Sequence, residues 1–318
     1  MGGERRALGI GGSDGALTAG STDRVAWVFP GQGSQRVGMG SELAQSDADA
    51  KAVFDRVDEA LGFALSDIIF TGPDEDLIAT RNQQPALLAT SIAYLEVLKR
   101  RSQLPDPTVV AGHSLGEYTA LVASGALDLA DAARLVRRRG ELMEEHGLGG
   151  MIAVLGLDDS VLAEIASASG AEIANINAPG QTTLSGRTDA LERATQLAKE
   201  AGARRVLPLP VNGAFHSSLM RPVVDGLKPM IEETRFNRPC AALIANVDGR
   251  LLTEPNELRA ELAAQITASV RWVDVVQQAT REGVDRFVEI GPGKVLSGLI
   301  ARIAPDARTE QAEALLRT

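Results

Sequence analysis

The segment that decides the fold is "VVAGHSLGEYTALVASGAL", which runs from Val109 to Leu127. It begins with a short β-branched run, typical of a strand, and ends in an apolar stretch of helical composition. Between them, "GHSLG" fits Gly-x-Ser-x-Gly, the pattern of a nucleophile elbow, in which a strand turns sharply into a helix and exposes a serine hydroxyl. The segment therefore predicts an α/β fold with Ser114 as a nucleophile at the turn. An ordinary helix-capping serine is the alternative.

The preceding sequence also alternates between strands and helices. An apolar run at 24–29 leads into the glycine-rich "PGQGSQ" at 30–35, and two segments with helical periodicity follow, 42–62 and 82–101. The second helix carries Pro85 near its expected start, where a missing N–H does little harm. A strand, two helices and another strand predict a parallel sheet.

From residue 149 to residue 213 the rhythm of the sequence changes. Strand-like and helix-like segments follow one another in the order βαββαβ, with the second helix expected to be capped by Thr188. This order is that of the ferredoxin-like arrangement. The region is therefore predicted to form a small inserted subdomain.

The remaining sequence is expected to form one large subdomain that the insertion interrupts. Strand-like runs at 240–249 and 284–293 resume the α/β pattern, so the large subdomain is predicted to comprise 24–148 and 214–318. Residues 1–23 are rich in Gly, Ser and Thr and are expected to be a flexible N-terminal extension.

Composition excludes several classes of function. Hydrophobic residues make up 44% of the chain and charged residues 23%, and no apolar stretch is long enough to span a bilayer, so a soluble protein without membrane contact is expected. A net charge of -10 argues against nucleic-acid binding. The single cysteine, Cys240, and the lack of a signal-peptide pattern favour the cytoplasm.

A serine nucleophile needs a base, and the chain has three histidines. His113 adjoins Ser114, but neighbouring side chains around a tight turn point apart, and His146 lies in a polar run. His216 follows the point where the insertion returns to the large subdomain, where a cleft is expected. His216 is therefore the predicted base. No acid that would orient it stands out by spacing, so a backbone carbonyl could do so instead.

The oxyanion of a tetrahedral intermediate requires two N–H donors. One is predicted to be the amide of Leu115, which follows the nucleophile at the start of a helix. The second is predicted to come from Gln32 in the "PGQGSQ" loop, whose glycines let the backbone approach a ligand. The loop lacks the glycine patterns of phosphate-binding motifs.

Three consecutive arginines, Arg137, Arg138 and Arg139, lie in a segment with amphipathic helical periodicity. On a helix they spread over roughly 200 degrees, so they cannot all face solvent equally. Either one of them points toward Ser114 and grips a substrate carboxylate, or all three belong to a solvated helix face.

Taken together, the motifs resemble those of malonyl-CoA:acyl carrier protein transacylases, including the discrete acyltransferases of polyketide synthases. The resemblance extends from Val25 to Ile303 and rests on blocks in one order: "FPGQGSQRVGM", "QPALLATSIA", "GHSLGEYTAL", "RRRGELM", "GAFHSSLM", "SVRW" and "EIGPGKVLSGL". It implies an α/β-hydrolase-like large subdomain with a parallel sheet and an inserted ferredoxin-like small subdomain.

The resemblance also implies roles for individual residues. Ser114 would be the acylated nucleophile and His216 its base, with oxyanion amides from Gln32 and Leu115. Arg139, which precedes the glycine of "RRRGELM", would hold the free carboxylate of the malonyl group.

Three further residues would support the site. The main-chain carbonyl of Gln265 would orient the histidine, and His113 would line the site without acting as base. Phe215 would crowd the α-carbon and so favour unbranched malonyl.

The reaction that the resemblance implies is a ping-pong transfer, for fatty-acid or polyketide synthesis, from malonyl-CoA to the thiol of an acyl carrier protein. It would need no metal or redox cofactor, and a monomer is expected. Because carrier proteins are commonly acidic, a local basic patch including Arg137 or Lys294 is expected at the cleft mouth. The alternatives are an acyl-thioester hydrolase, a transferase for a non-malonyl or carrier-bound acyl group, and a docking protein that retains the fold.

Overall fold

The computed structural model of the protein describes residues 24–101 and 103–317. The predicted N-terminal extension at 1–23 lies outside this part of the chain. The described residues form a mixed α/β fold with two sheets. The strands are β1 Val25–Phe29, β2 Val109–Gly112, β3 Gly150–Leu155, β4 Glu172–Ala178, β5 Gln181–Gly186, β6 Arg205–Pro208, β7 Ala242–Ile244, β8 Leu251–Leu252, β9 Arg286–Glu289 and β10 Arg308–Gln311.

Helices cover most of the remaining described sequence. They are α1 Ser41–Ser46, α2 Ala48–Leu61, α3 Leu65–Thr71, α4 Asp74–Ile78, α5 Thr80–Arg100, α6 Gly116–Ala123, α7 Leu129–Glu145, α8 Asp159–Ser169, α9 Thr188–Glu200, α10 Arg221–Glu233, α11 Pro255–Gln265, α12 Trp272–Arg281, α13 Val295–Ile303 and α14 Ala312–Leu315. None of the helices in 24–101 and 103–317 is long and apolar enough to cross a membrane.

The large sheet has the strand order β10-β9-β1-β2-β7-β8. Its strands pair in parallel except for β7 with β8, and the central strand β1 places Trp27 opposite Val110 on one side and Val288 on the other. The predicted parallel sheet is thus confirmed. The edge strands β8 and β10 had no clear sequence signal, because they are short and only partly buried.

Both faces of this sheet are covered. Along β1, Val25, Trp27 and Phe29 join the core under helices such as α2, α5 and α7, whereas Ala26 and Val28 join a second core under α12 and α13. A strand buried on both faces reads as a continuous apolar run, which is why "VAWVF" shows no alternation.

The small sheet is antiparallel, in the order β4-β5-β3-β6, and α8 and α9 pack on it. This is the ferredoxin-like arrangement that the βαββαβ pattern predicts. The edge strand β4 also contacts the large subdomain, where Val270 N donates to Ala174 O and Val270 O accepts from Ile176 N, each at 2.9 Å. Backbone pairing therefore joins the two subdomains beside the cleft.

Two local predictions were wrong. Five helices, not two, separate β1 from β2, and α5 begins at Thr80, so Pro85 lies inside the helix. Pro85 cannot donate to the Arg81 carbonyl one turn earlier, and Arg137 Nη1 reaches this carbonyl instead, at 3.5 Å. Thr188 is the first residue of α9 rather than its cap, which is Arg187.

Candidate active site

Ser114 lies in a sharp turn between β2 and α6. Its φ of 51° is one of two positive values among the described non-glycine residues, and this conformation is strained for a side chain. The flanking glycines explain how the turn closes: a Cβ on Gly112 would lie 1.9 Å from the carbonyl carbon of Gly116, and one on Gly116 would lie 2.1 Å from Phe29 O. The chain therefore forms the tight elbow that "GHSLG" predicts.

Asn246, two residues after β7, braces this elbow. Its Oδ1 accepts the Ser114 amide at 2.8 Å, and its Nδ2 donates to Gly112 O at 2.7 Å. Sequence analysis missed this residue, because nothing local marks a polar residue at this position as a partner of the distant Ser114. The strained serine is thus fixed from a neighbouring strand of the same sheet.

His216 contacts the nucleophile directly. Its Nε2 lies 2.7 Å from Ser114 Oγ, and its Nδ1 lies 2.9 Å from Gln265 O and 3.2 Å from Ala268 O. Carbonyl oxygens only accept, so Nδ1 carries the proton and Nε2 offers its lone pair to the serine hydroxyl. A general base requires this tautomer.

The environment keeps His216 neutral. Burial, followed by the positive charge of Arg139, lowers the pKa of His216 to about 3, against the weaker opposing effect of the carbonyls at Nδ1.

His216 also has a positive φ, 58°, so backbone strain is present at both contacting residues. The structure therefore brings together the predicted nucleophile and base from residues 102 positions apart.

Arg139 extends from α7 to the same hydroxyl and is completely buried. Its Nη2 donates to Ser114 Oγ at 3.1 Å and to Gln265 Oε1 at 3.3 Å, and its Nη1 donates to Gln84 Oε1 at 2.9 Å. The guanidinium also lies 5.7 Å from the centroid of the Tyr118 ring. Within the described part of the chain no carboxylate forms an ion pair with it.

The other two arginines of α7 point elsewhere. Arg138 is exposed, and Arg137 is largely covered by its ion pair with Glu141 and by its contact with Asn82. Of the two alternatives for this helix, the structure therefore favours one inward arginine. Lys294, the other residue expected in a basic patch, is exposed at the start of α13. The patch itself stays a prediction.

The two amides predicted to bind the oxyanion are free to donate. Neither the Leu115 amide nor the Gln32 amide has a protein acceptor among the described residues. Gly31 brings the "PGQGSQ" loop against the elbow, because a Cβ there would lie 2.6 Å from His113 O. The side chain of Gln32 donates to Gln83 Oε1, which anchors the loop to α5.

The remaining predicted residues surround this centre. His113 Nε2 lies 2.8 Å from Asn177 Oδ1 and its ring lies 5.6 Å from that of Trp272, so its side chain is engaged away from Ser114. Phe215 is buried directly before the base, and its ring covers Gly213. His146 caps the C-terminus of α7 and is half-buried.

A cavity of about 690 Å³ opens beside the site. It lies between the glycine-rich loop, through Gln32, the start of α5, through Arg81 and Gln83, and the segment that follows β6, through Leu209 and Asn212. Both subdomains thus contribute to its walls. Its volume is that of an ordinary small-molecule pocket.

Comparison with known proteins identifies the family of the chain. Residues 26–314 match the family model described as "Acyl transferase domain". The chain is 45% identical over 288 residues to the malonyl CoA-acyl carrier protein transacylase of Bacillus subtilis (strain 168), covering 88% of this chain and 90% of that protein.

Solved structures are similar throughout the fold. The acyl carrier protein S-malonyltransferase of Vibrio cholerae superposes with a TM-score of 0.88 at 42% identity, covering 91% of this chain and 96% of that one. A malonyl-transacylase in complex with its type II PKS acyl-carrier protein gives a TM-score of 0.86 at 39% identity, covering 91% and 96%.

Proposed function

The chain belongs to the family of acyl transferase domains, and we propose that it moves a malonyl group from malonyl-CoA to the phosphopantetheine thiol of an acyl carrier protein. The observation that carries the proposal is that an imidazole and a guanidinium contact one serine hydroxyl. Ser114 Oγ lies 2.7 Å from the neutral imidazole of His216 and 3.1 Å from the buried guanidinium of Arg139. Relatives named as malonyl transacylases support the same activity.

In the first half of the reaction, the serine is acylated. His216 Nε2 takes the hydroxyl proton as Ser114 Oγ attacks the carbonyl carbon of the malonyl thioester. The amides of Leu115 and Gln32 donate to the resulting oxyanion. The C–S bond then breaks, and the proton on Nε2 passes to the departing thiolate of CoA.

In the second half, the pantetheine thiol of the carrier protein enters the same cleft. It gives its proton to His216 Nε2 and attacks the malonyl ester of Ser114. When the C–O bond breaks, Nε2 returns the proton to Ser114 Oγ. Every proton transfer uses one nitrogen, so the proposed ping-pong cycle proceeds without a metal or redox cofactor.

Arg139 accounts for the choice of acyl group. A guanidinium buried next to the nucleophile, without an ion pair among the described residues, suits an acyl chain that ends in a carboxylate. Gln84 and Gln265 accept hydrogen bonds from its two terminal nitrogens and hold the guanidinium toward the serine. A hydrolase acting on neutral acyl groups would gain nothing from this cation.

The proposed acceptor is a carrier protein because a solved relative binds one. In the proposal the pantetheine arm enters through the cavity beside Gln32 and Leu209, which is lined by residues of both subdomains. Fatty-acid and polyketide synthesis use the same transfer, and identification of the carrier protein would distinguish them.

The test is intact-protein mass spectrometry after brief mixing with malonyl-, methylmalonyl- or acetyl-CoA, without a carrier protein, on wild type and Ser114→Ala. A malonyl adduct on wild type alone is expected, and it should be discharged by holo carrier protein. An adduct that water removes as free malonate faster than the carrier protein does would identify a hydrolase. No adduct on wild type would overturn the proposal.

A further inference from the structure

Glu117 is a buried acid at the centre of the site, and the reaction described above leaves it unused. It lies three residues after Ser114, in the first turn of α6, and is completely buried. Buried carboxylates are rare unless their oxygens are satisfied. Both oxygens of Glu117 accept N–H groups, one from the backbone of Asn246 and one from the side chain of Gln265.

The contact with Asn246 leads to the nucleophile. Glu117 Oε1 accepts Asn246 N at 2.9 Å, and Asn246 Oδ1 in turn accepts Ser114 N at 2.8 Å. The carboxylate therefore fixes the backbone of the residue that holds the strained serine.

The contact with Gln265 leads to the base and to the cation. Glu117 Oε2 accepts Gln265 Nε2 at 2.5 Å, and the same nitrogen donates to Ser114 O at 2.9 Å. This fixes the amide plane, so Gln265 Oε1 faces Arg139, while the Gln265 main-chain carbonyl accepts His216 Nδ1. Gln265 thus connects Glu117 to the backbone of Ser114 and to the side chains of Arg139 and His216.

The titration of Glu117 reflects its burial. Burial, followed by the negative charge of Glu261, raises the pKa of Glu117 well above its ordinary value. The N–H donors of Asn246 and Gln265 and the positive charge of Arg139 oppose this shift. The role assigned to Glu117 therefore rests on its two acceptor oxygens.

We propose that Glu117 is a positioning residue for acyl transfer, which holds Ser114 through Asn246 and holds His216 and Arg139 through Gln265. The inference rests on the proposed function for its substrate, but its geometry concerns any attack by Ser114. Glu117→Gln is the most selective substitution. The side-chain amide of glutamine can accept only one of the two N–H groups, and it presents its own N–H to the other. Displacements of about 1 Å at a reacting group can cost on the order of 10²-fold in rate.

Glu289 provides a matched control. It is also a completely buried glutamate, at the end of β9, and its two oxygens accept the amides of Leu296 at 3.0 Å and Ser297 at 2.7 Å. None of its hydrogen bonds among the described residues reaches Ser114, His216 or Arg139. Glu289→Gln therefore changes the same chemical group, with two N–H donors of its own, outside the proposed connection.

The experiment measures how fast Ser114 is modified in single-turnover reactions of wild type, Glu117→Gln and Glu289→Gln. Two reagents are used, malonyl-CoA and a neutral fluorophosphonate that phosphonylates active serines, with intact-mass readout. Glu117→Gln is expected to react about 10²-fold more slowly with both reagents but to reach the same final occupancy, which shows that the protein is folded. Glu289→Gln should react near the wild-type rate.

The fluorophosphonate separates this inference from the proposed function. Wild type that takes the fluorophosphonate but no malonyl would contradict the proposed donor and leave the role of Glu117 testable. Equal rates for Glu117→Gln and wild type, or equal slowing in both glutamate variants, would overturn the inference. If Glu117→Gln does not fold, Glu117→Asp is used instead. It keeps the carboxyl group on a shorter side chain and must also slow the reaction.

A double variant tests the connection through Gln265. If Glu117 acts through that residue, Glu117→Gln should slow Gln265→Leu by much less than it slows wild type. Independent, multiplicative losses would contradict the proposed connection and leave a general effect on stability as the explanation.

Discussion

Arg139 Nη2 donates to Ser114 Oγ at 3.1 Å, so the cation assigned to the acyl carboxylate contacts the nucleophile itself. His216 Nε2 contacts the same oxygen at 2.7 Å. One hydroxyl therefore contacts both the proposed base and the proposed carboxylate-binding group. Four predictions test how the surrounding structure uses this arrangement.

Arg139→Ala is expected to reduce malonyl transfer far more than acetyl transfer. Loss of the partner of a buried carboxylate costs about 3 to 5 kcal/mol, which corresponds to a fall of on the order of 10²- to 10⁴-fold in kcat/KM for malonyl-CoA. Acetyl transfer should fall much less, because the acetyl group has no carboxylate that would lose its partner. Arg138→Ala, an exposed neighbour, is the control. Equal losses for both donors would refute the carboxylate role.

Modification of Ser114 should persist in moderately acidic solution. Burial and Arg139 lower the pKa of His216 from 6.5 to about 3, so the imidazole stays unprotonated and remains a base as the pH falls below 6.5. A neutral fluorophosphonate avoids titration of the substrate carboxylate. Its second-order rate with wild type should be nearly constant between about pH 8 and about pH 5. A midpoint near 6.5 would mean that His216 titrates as an ordinary histidine.

Phe215→Ser is expected to increase methylmalonyl loading relative to malonyl loading. The buried ring stands directly before the base, and its removal would make room for a branch at the α-carbon, worth about tenfold in selectivity. Equimolar competition between the two CoA esters, read by intact mass, measures the ratio. Phe236→Ser removes a similarly buried ring beside Arg259 and should leave the ratio unchanged. An unchanged ratio in both variants would place selectivity elsewhere.

Gly116→Ala should destabilise the protein, whereas Gly298→Ala should stabilise it slightly. A Cβ on Gly116 would lie 2.1 Å from Phe29 O, and backbone must shift to relieve the clash, at a cost of at least about 2 kcal/mol. Gly298 lies in α13 with open space around it, and alanine there should add about 0.5 to 1 kcal/mol. Urea unfolding curves give both differences. A neutral Gly116→Ala would mean that the elbow is not closely packed.

Features that depend on short-range sterics and on periodicity could be predicted from the residues alone. "GHSLG" between a strand and a helix predicts the elbow, since only glycines let the backbone on the two sides of the turn approach so closely. The βαββαβ order of elements predicts the small sheet. Short helices between β1 and β2 were missed because they have too few turns to show a period. Pro85 was misplaced because the first turn of α5 is polar.

The tertiary structure alone decided which side chains meet. Helical periodicity did not show which of the three arginines of α7 faces inward. The packing of α7 turns Arg139 inward, while Arg137 and Arg138 pair with Glu141. Asn246 and Glu117 were likewise not identified as site residues from the sequence, because each lies more than a hundred residues from the partner it contacts. Local patterns describe how a chain turns, whereas a buried polar group is satisfied by whatever the fold brings within about 3 Å.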